Sequence, residues 1–236
     1  MRLLVTRPDE DAGPLMAVLE AMGHQAFHMP LMVIRYLDAE IPVRDWQALL
    51  VTSANGVRAL AARGAVARLA AVPVMAVGEA SAAAARAAGF QSVTASGGDV
   101  GRLVETVGGQ LRADGGPLLH LAGSVLAGDL KGLLEERGYG VERVVLYEAE
   151  VASSLPEVGR GLVTGGGVDG VLFFSPRTAV TFAGLMRDEG LGVHLARLSA
   201  FCLSQAVADA LKTSGFGQVL VSDAPTQEAL LALTMR

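Results

Sequence analysis

The chain has 236 residues, 51% hydrophobic and 18% charged, enough apolar material for two cores and too much for a disordered chain. Lys and Arg total 19 against 24 Asp and Glu, a net charge of −5, which excludes the clustered basic surface that nucleic acid needs. A single cysteine, Cys202, excludes an internal disulfide and a thiolate zinc site, and fits a reducing compartment.

Taken in order, Leu3–Val5 reads as a short strand ended by Thr6-Arg7-Pro8, and Leu15, Met16, Leu19 and Met22 follow at helical spacing. Gly23 stops that helix, and Gln25–Met29 forms a second strand. Residues 30–44, with Pro30 and Pro42, read as a connector. Leu49–Val51 is a strand, and Ser53-Ala54-Asn55 opens a helix through Val57 and Leu60. Val72–Val77 is a strand, Ala80–Ala88 an alanine-rich helix stopped by Gly89, and Ser92–Ala95 a strand. Asp99 caps a helix that turns Leu103 and Val107 inward.

Leu118–Leu121 is the next strand, Asp129–Arg137 a helix closed by Gly138, and Val141–Tyr147 a strand that ends beside a second connector, Glu148–Leu155. Residues 156–163 form a short helix, and Gly165-Gly166-Gly167 precede strand Val171–Phe174. A helix from Arg177, strand Ala200–Leu203, helix Ala206–Thr213, strand Val219–Val221 and a helix from Pro225 complete the chain. The N-terminal apolar run is too short for a signal peptide, and no window approaches the ~18–20 apolar residues of a membrane span. A soluble cytoplasmic protein is expected.

Strands alternate with helices, which requires parallel sheets covered on both faces. The segments also repeat. Ala76-Val77-Gly78-Glu79-Ala80-Ser81 through Gly89-Phe90 to Ser96 returns as Cys202-Leu203-Ser204-Gln205-Ala206 through Gly215-Phe216 to Ser222. Ala48–Ser53 similarly returns as Gly170–Ser175, and Leu118–Tyr147 resembles Leu3–Met29. Two similar five-stranded α/β domains follow. Residues 38–147 form an inner domain, inserted into an outer one made of 1–33 plus 156–236, with extended connectors near 30–44 and 148–155. The N-terminal piece alone has too few strands for a core.

In such sheets ligands bind beyond the carboxyl ends of the strands. The loops there hold Thr6, Arg7, Ser53, Ala54, Asn55, Gly78, Glu79, Ser81, Gly123, Ser175, Pro176, Arg177, Ser204 and Gln205. Small hydroxyls, glycines and amides at helix starts suit carboxylates or phosphates, although the same residues are also ordinary helix caps. No nucleotide motif is present, since no Gly-x-Gly-x-x-Gly follows a strand and no phosphate-loop lysine occurs. Gly165-Gly166-Gly167 lies at the wrong end of its strand. His24, His28, His120 and His194 lack paired metal spacing, and Cys202 sits within a predicted strand, as a core residue does. Neither a metal nor a nucleotide cofactor is expected.

Several motifs together resemble the uroporphyrinogen-III synthase family. They are Leu4-Val5-Thr6-Arg7-Pro8, Val51-Thr52-Ser53-Ala54-Asn55-Gly56-Val57, Ala76-Val77-Gly78-Glu79-Ala80 with Gly89-Phe90, Gly138 with Val145-Leu146-Tyr147-Glu148, Phe173-Phe174-Ser175-Pro176-Arg177-Thr178-Ala179-Val180, and Pro225-Thr226 with Leu230. The resemblance implies two flavodoxin-like domains joined by a two-stranded connector, and neither metal nor organic cofactor; a monomer is expected. It implies cyclisation of hydroxymethylbilane to uroporphyrinogen III, with loss of water and inversion of the last pyrrole through a spiro intermediate. Tyr147 matches the family's functional tyrosine; a phenol, with a reference pKa of about 10, stays protonated at neutral pH and can donate to a departing hydroxyl. The family binds its carboxylate-rich substrate largely through backbone amides, so positioning carries much of the catalysis.

The chain departs from the family pattern at two places. Ala206-Val207 replaces a threonine pair, and Ser124 stands where related sequences often carry arginine. The competing reading is a non-catalytic two-domain protein that binds a small anion.

Overall fold

The computed structural model describes residues 1–126 and 128–235. The chain divides into two compact units, an outer one of Met1–Val33 with Glu150–Arg236 and an inner one of Ile34–Ala149. It opens with β1 (Arg2–Val5), α1 (Asp9–Ala21), β2 (Gln25–His28) and β3 (Met32–Tyr36). The inner unit continues with β4 (Ala48–Val51), α2 (Ala54–Ala62), α3 (Val66–Leu69), β5 (Val74–Ala76), α4 (Glu79–Ala88) and β6 (Val93–Ala95). Then come α5 (Val100–Gln110), β7 (Leu118–Gly123), α6 (Leu130–Glu135) and β8 (Val141–Val151). The chain returns to the outer unit with α7 (Glu157–Thr164), β9 (Gly170–Phe173), α8 (Pro176–Asp188) and a 3-10 segment at Gly192–Arg197. It ends with β10 (Ser199–Cys202), α9 (Gln205–Asp209), β11 (Gln218–Val221) and α10 (Gln227–Ala232), closed by a 3-10 turn at Leu233–Met235.

The outer sheet has the order β11-β10-β9-β1-β2 with every pair parallel, Leu4 standing between Phe27 and Val171. Alternate residues serve opposite faces. Leu4, Val171, Phe173, Ala200 and Cys202 pack with Phe182 and Met186 of α8, whereas Leu3, Val5, Leu172 and Phe201 pack with Leu15 and Leu19 of α1 and Leu230 of α10. The inner sheet runs β3-β8-β7-β4-β5-β6. Its Leu49, Val51, Leu119 and Leu121 meet α2 and α4 through Val57, Leu60, Ala82 and Ala85. On its other face, Ala48, Leu50 and Leu118 meet Leu103, Val107 and Leu130 of α5 and α6.

The two sheets share one spatial plan. β2-β1-β9-β10-β11 and β8-β7-β4-β5-β6 correspond position by position; the outer has the 2-1-3-4-5 strand order of a doubly wound sheet, and the inner is a circular permutation of it. They differ in where the chain enters. The outer sheet is started, left and completed by the returning chain; the inner one begins at its third position and finishes with the pair that opens the outer.

Local chemistry explains the element ends. Asp99 accepts from the Arg102 amide at 3.0 Å, Ser175 from Thr178 at 3.2 Å and Thr226 from Ala229 at 3.2 Å, each an N-cap. Gly89 ends α4 in the left-handed conformation at φ 104°, which other residues adopt only with strain.

Four details differ from the sequence-based expectation. The inner sheet has six strands instead of five, because β3, read as connector, adds itself to the edge; its Val33 and Ile34 are β-branched. β8 does not stop at Tyr147 but continues to Val151, its exposed end carrying no periodic apolar signal. The helix expected at Ala206–Thr213 is only Gln205–Asp209, followed by turns. The Gly192–Arg197 segment and the single turn of α3 were not expected, both being too short to show periodicity.

Candidate functional site

The inner rim gathers at the carboxyl ends of β4 to β8. Ser53 leads from β4 into α2 and its hydroxyl accepts from the Asn55 amide at 3.3 Å; Asn55 Oδ1 in turn accepts from Arg58 at 2.9 Å. Ala54 is the first residue of α2. Gly78 is the extended N-cap of α4, and the space beside its Cα is open, with nothing within 4 Å of where a β-carbon would stand. Glu79 is exposed and ion-paired with Arg86 of the same helix. Ser81 is 7% exposed, so it faces the core and the fold does not bring it to the rim surface. Ser96 Oγ donates to Ala76 O and Val77 O, closing the end of β6. A cavity of about 460 Å³ opens here, lined by Thr52, Val77, Gly98, Asp99, Val100 and Gly101.

Gly123 ends β7 and pairs with Tyr147 across a register shift, with Ser124 N donating to Tyr147 O at 2.9 Å. A β-carbon on Gly123 would lie 2.7 Å from Cζ of the Tyr147 ring. Only glycine leaves room for that ring at this point. Tyr147 is half-buried against the inner core, and its hydroxyl has no hydrogen-bond partner among the described residues.

Behind the rim lies a polar strip that the sequence reading did not single out. His120 on β7 is 1% exposed, with Nε2 3.3 Å from Thr52 Oγ1. Burial first, and the charge of Arg143 second, push its pKa down to about 4, so the ring is neutral at ordinary pH. Arg143 Nη2 donates to Gly123 O at 3.0 Å and Ser124 O at 3.3 Å, bracing the loop after β7. The available signal was one imidazole inside the run Leu118-Leu119-His120-Leu121, where only a satisfied or functional polar group survives.

The outer rim is assembled at the ends of β1, β9, β10 and β11. Thr6 is buried and its hydroxyl donates to Leu172 O at 2.9 Å, so it ties β1 to β9. Arg7 is ion-paired with Asp11 at 2.9 Å and lies over the Phe174 ring at 4.6 Å, while its carbonyl is 2.9 Å from His28 Nε2. Ser175 caps α8, with Pro176 at its first position and Arg177 exposed beside it. Ser204 precedes α9 in extended conformation without a side-chain cap, and Gln205 donates to Asp209 at 2.9 Å. Each rim therefore gathers its own loops; Ser81 and Thr6 are turned inward.

Residues read as structural sit accordingly. Cys202 is fully buried in the outer core, where burial pushes its thiol pKa up to about 12, far from a thiolate nucleophile. No group of three or more His, Cys, Asp or Glu side chains that could hold a metal ion occurs among the described residues. No helix among the described residues is long and apolar enough to cross a membrane.

Two doubly wound parallel sheets, each with a hydroxyl- and amide-lined rim at the carboxyl ends of its strands, define a two-unit α/β ligand-binding protein. The sequence profile of the family described as uroporphyrinogen-III synthase HemD matches residues 14–232, and the chain belongs to that family. No curated protein matches the sequence. Among solved structures, the uroporphyrinogen-III synthetase of Helicobacter pylori is similar over 100% of both chains, with 18% identity and a TM-score of 0.69. A mutant uroporphyrinogen III synthase of Thermus thermophilus is similar over 100% of this chain and 98% of its own, with 20% identity and a TM-score of 0.54. These likenesses show the fold; family membership carries the activity, cyclisation of hydroxymethylbilane in tetrapyrrole biosynthesis by a cyclising lyase.

Proposed function

We propose that Tyr147 is the general acid of this cyclisation, donating its phenolic proton to the hydroxyl that leaves hydroxymethylbilane, with closure proceeding through a spiro intermediate that inverts the last pyrrole. The observation carrying this reading is the seat that Gly123 makes for the Tyr147 ring, next to a hydroxyl that no described residue engages. A donor that is already committed to a protein acceptor would have to break that bond first; this one has none to break among the described residues. A positioned acid contributes roughly 10²–10⁴-fold to such a step.

The same reading gives the remaining rim residues a binding role. Backbone N–H groups of Gly78, Ser53 and Ala54 in the inner unit, and of Ser175, Arg177, Ser204 and Gln205 in the outer, offer donors to substrate carboxylates, with Pro176 fixing the start of its helix. Arg177 adds a side-chain cation. Arg7, held by Asp11 and Phe174, serves chiefly to shape its loop. We take the working form to be a cytoplasmic monomer, which sedimentation of the purified chain checks directly.

The deciding experiment incubates the purified chain with freshly prepared hydroxymethylbilane and separates the isomers formed. Uroporphyrinogen III is the expected product, and accumulation of the uninverted isomer I alone would remove the enzymatic reading. Tyr147→Phe should lower turnover about tenfold or more while melting like the wild type. Undiminished turnover would take Tyr147 out of the chemistry.

A further inference from the structure

His120 is the one ionisable side chain of β7, flanked by Leu118, Leu119, Leu121 and Ala122. Its Nε2 lies 3.3 Å from Thr52 Oγ1, while its Nδ1 is buried with no hydrogen-bond partner among the described residues. Arg143 is its cross-strand neighbour on β8, and the Nε of that guanidinium is likewise buried and unpartnered among the described residues. Buried polar atoms without partners are rare in folded proteins and call for a reason.

The polarity of the strip follows from elementary hydrogen-bond inventory. Arginine only donates, and its fixed charge disfavours a proton on the imidazole atom that has no acceptor of its own. The ring therefore carries its single hydrogen on Nε2 and donates to Thr52 Oγ1. With one lone pair of Thr52 taken in this way, the hydroxyl hydrogen is left for an acceptor outside the strip, and no described residue supplies one. Thr52 lines the 460 Å³ inner-rim cavity together with Val77 and Gly98–Gly101. An outward-directed donor in that place selects an acceptor such as a carboxylate.

We infer that His120 is a positioning residue that holds the Thr52 hydroxyl as a hydrogen-bond donor into the inner-rim cavity, where it binds one carboxylate of the substrate. The inference rests on the tetrapyrrole reading, because hydroxymethylbilane supplies the carboxylate. A contact of this kind is made equally before and during the reaction, so it acts on substrate binding and leaves the chemical step alone.

The test is a double-mutant cycle followed by steady-state kinetics with hydroxymethylbilane. Thr52→Val removes the hydroxyl at constant shape and should raise KM about tenfold with kcat nearly unchanged, as loss of a hydrogen bond to a charged group does. His120→Leu should do the same, the double variant should be no worse than either single one, and His120→Gln, whose amide can replace Nε2–H, should restore most of the affinity. Additive effects, or an unchanged KM in Thr52→Val, would overturn the assignment. Should His120→Leu fail to fold, Thr52→Val still decides the matter. A separate reading comes from two-bond nitrogen NMR of the wild-type imidazole, expected to show a bare Nδ1 and a protonated Nε2; the opposite tautomer would sink the relay. If the wild type converts no hydroxymethylbilane, the functional reading falls on its own, while the tautomer still judges the arrangement of His120 and Thr52.

Discussion

Gly123 and Tyr147 occupy one another's space: a β-carbon at position 123 would stand 2.7 Å from the ring Cζ and 2.8 Å from Cε2. The register shift between Ala122 and Gly123 brings the two residues opposite each other, so a bulge and a missing side chain together place the phenol at the rim. Gly123→Ala should therefore push the ring aside and lower kcat about tenfold or more, with a smaller change in KM. Ser124→Ala, one residue on and exposed, is the control and should keep wild-type turnover. Equal kcat in Gly123→Ala and wild type would mean that the ring needs no such seat.

A second glycine matters for stability alone. A β-carbon on Gly56 would come within 2.5 Å of Leu121 O, because α2 presses directly on β7. The carbonyl belongs to the sheet and cannot move away cheaply, so Gly56→Ala should cost about 1–3 kcal/mol, as overpacking does. Gly13, inside α1, has nothing within 4 Å, and Gly13→Ala should stabilise by about 0.5–1 kcal/mol. Urea midpoints of the two variants should move in opposite directions.

The depressed pKa of His120 makes stability depend on pH. The unfolded imidazole titrates near 6.5 and the folded one near 4, so between those values the unfolded chain holds a proton that the folded chain does not. Stability therefore falls as pH drops from about 6.5 to about 4, by about 3 kcal/mol over the whole window. Above 6.5 both states are neutral and the contribution is fully present. In urea titrations across this range, His120→Gln should follow a flatter curve than the wild type.

The inner unit should fold by itself if cut where its edge strands end. Residues 32–151 keep β3 and β8 whole and retain both inner cores. A cooperative thermal transition is expected for this fragment. A fragment of 38–147 lacks β3 entirely and should melt lower, since the β8 edge is then bare. Equal melting of the two fragments would show that β3 adds nothing.

The fold class was legible because strongly periodic segments and glycine stops mark its elements. Ala80–Ala88 with Gly89, and Asp99 ahead of Leu103 and Val107, carry their caps in the sequence itself. The connector strand β3 was not legible, since its membership of the sheet is decided by a partner more than a hundred residues away. The rim loops could be listed from the ends of strands, yet Ser81 and Thr6 turn inward, a choice made by tertiary packing. His120 was visible as a residue and invisible as a site, because its neighbours Thr52 and Arg143 lie on other segments of the chain.

The permuted chain path has a consequence for synthesis. Leu4 of β1 pairs with Phe27 of β2 and with Val171 of β9, so β1 gains one neighbour early and waits for the second until the inner unit has been made. Every strand of the inner sheet from β4 to β8, by contrast, is complete once residue 151 has emerged. Closing the inner sheet first also brings the ends of that long insertion under control, which reduces the entropy lost when β1 and β9 finally meet. During translation the protein thus carries a two-stranded fragment, β1-α1-β2, whose apolar Leu3, Leu4 and Val5 stay without a full sheet until β9 to β11 arrive. Chaperone dependence and sensitivity to truncation should concentrate in that fragment, and the inner sheet should be largely spared.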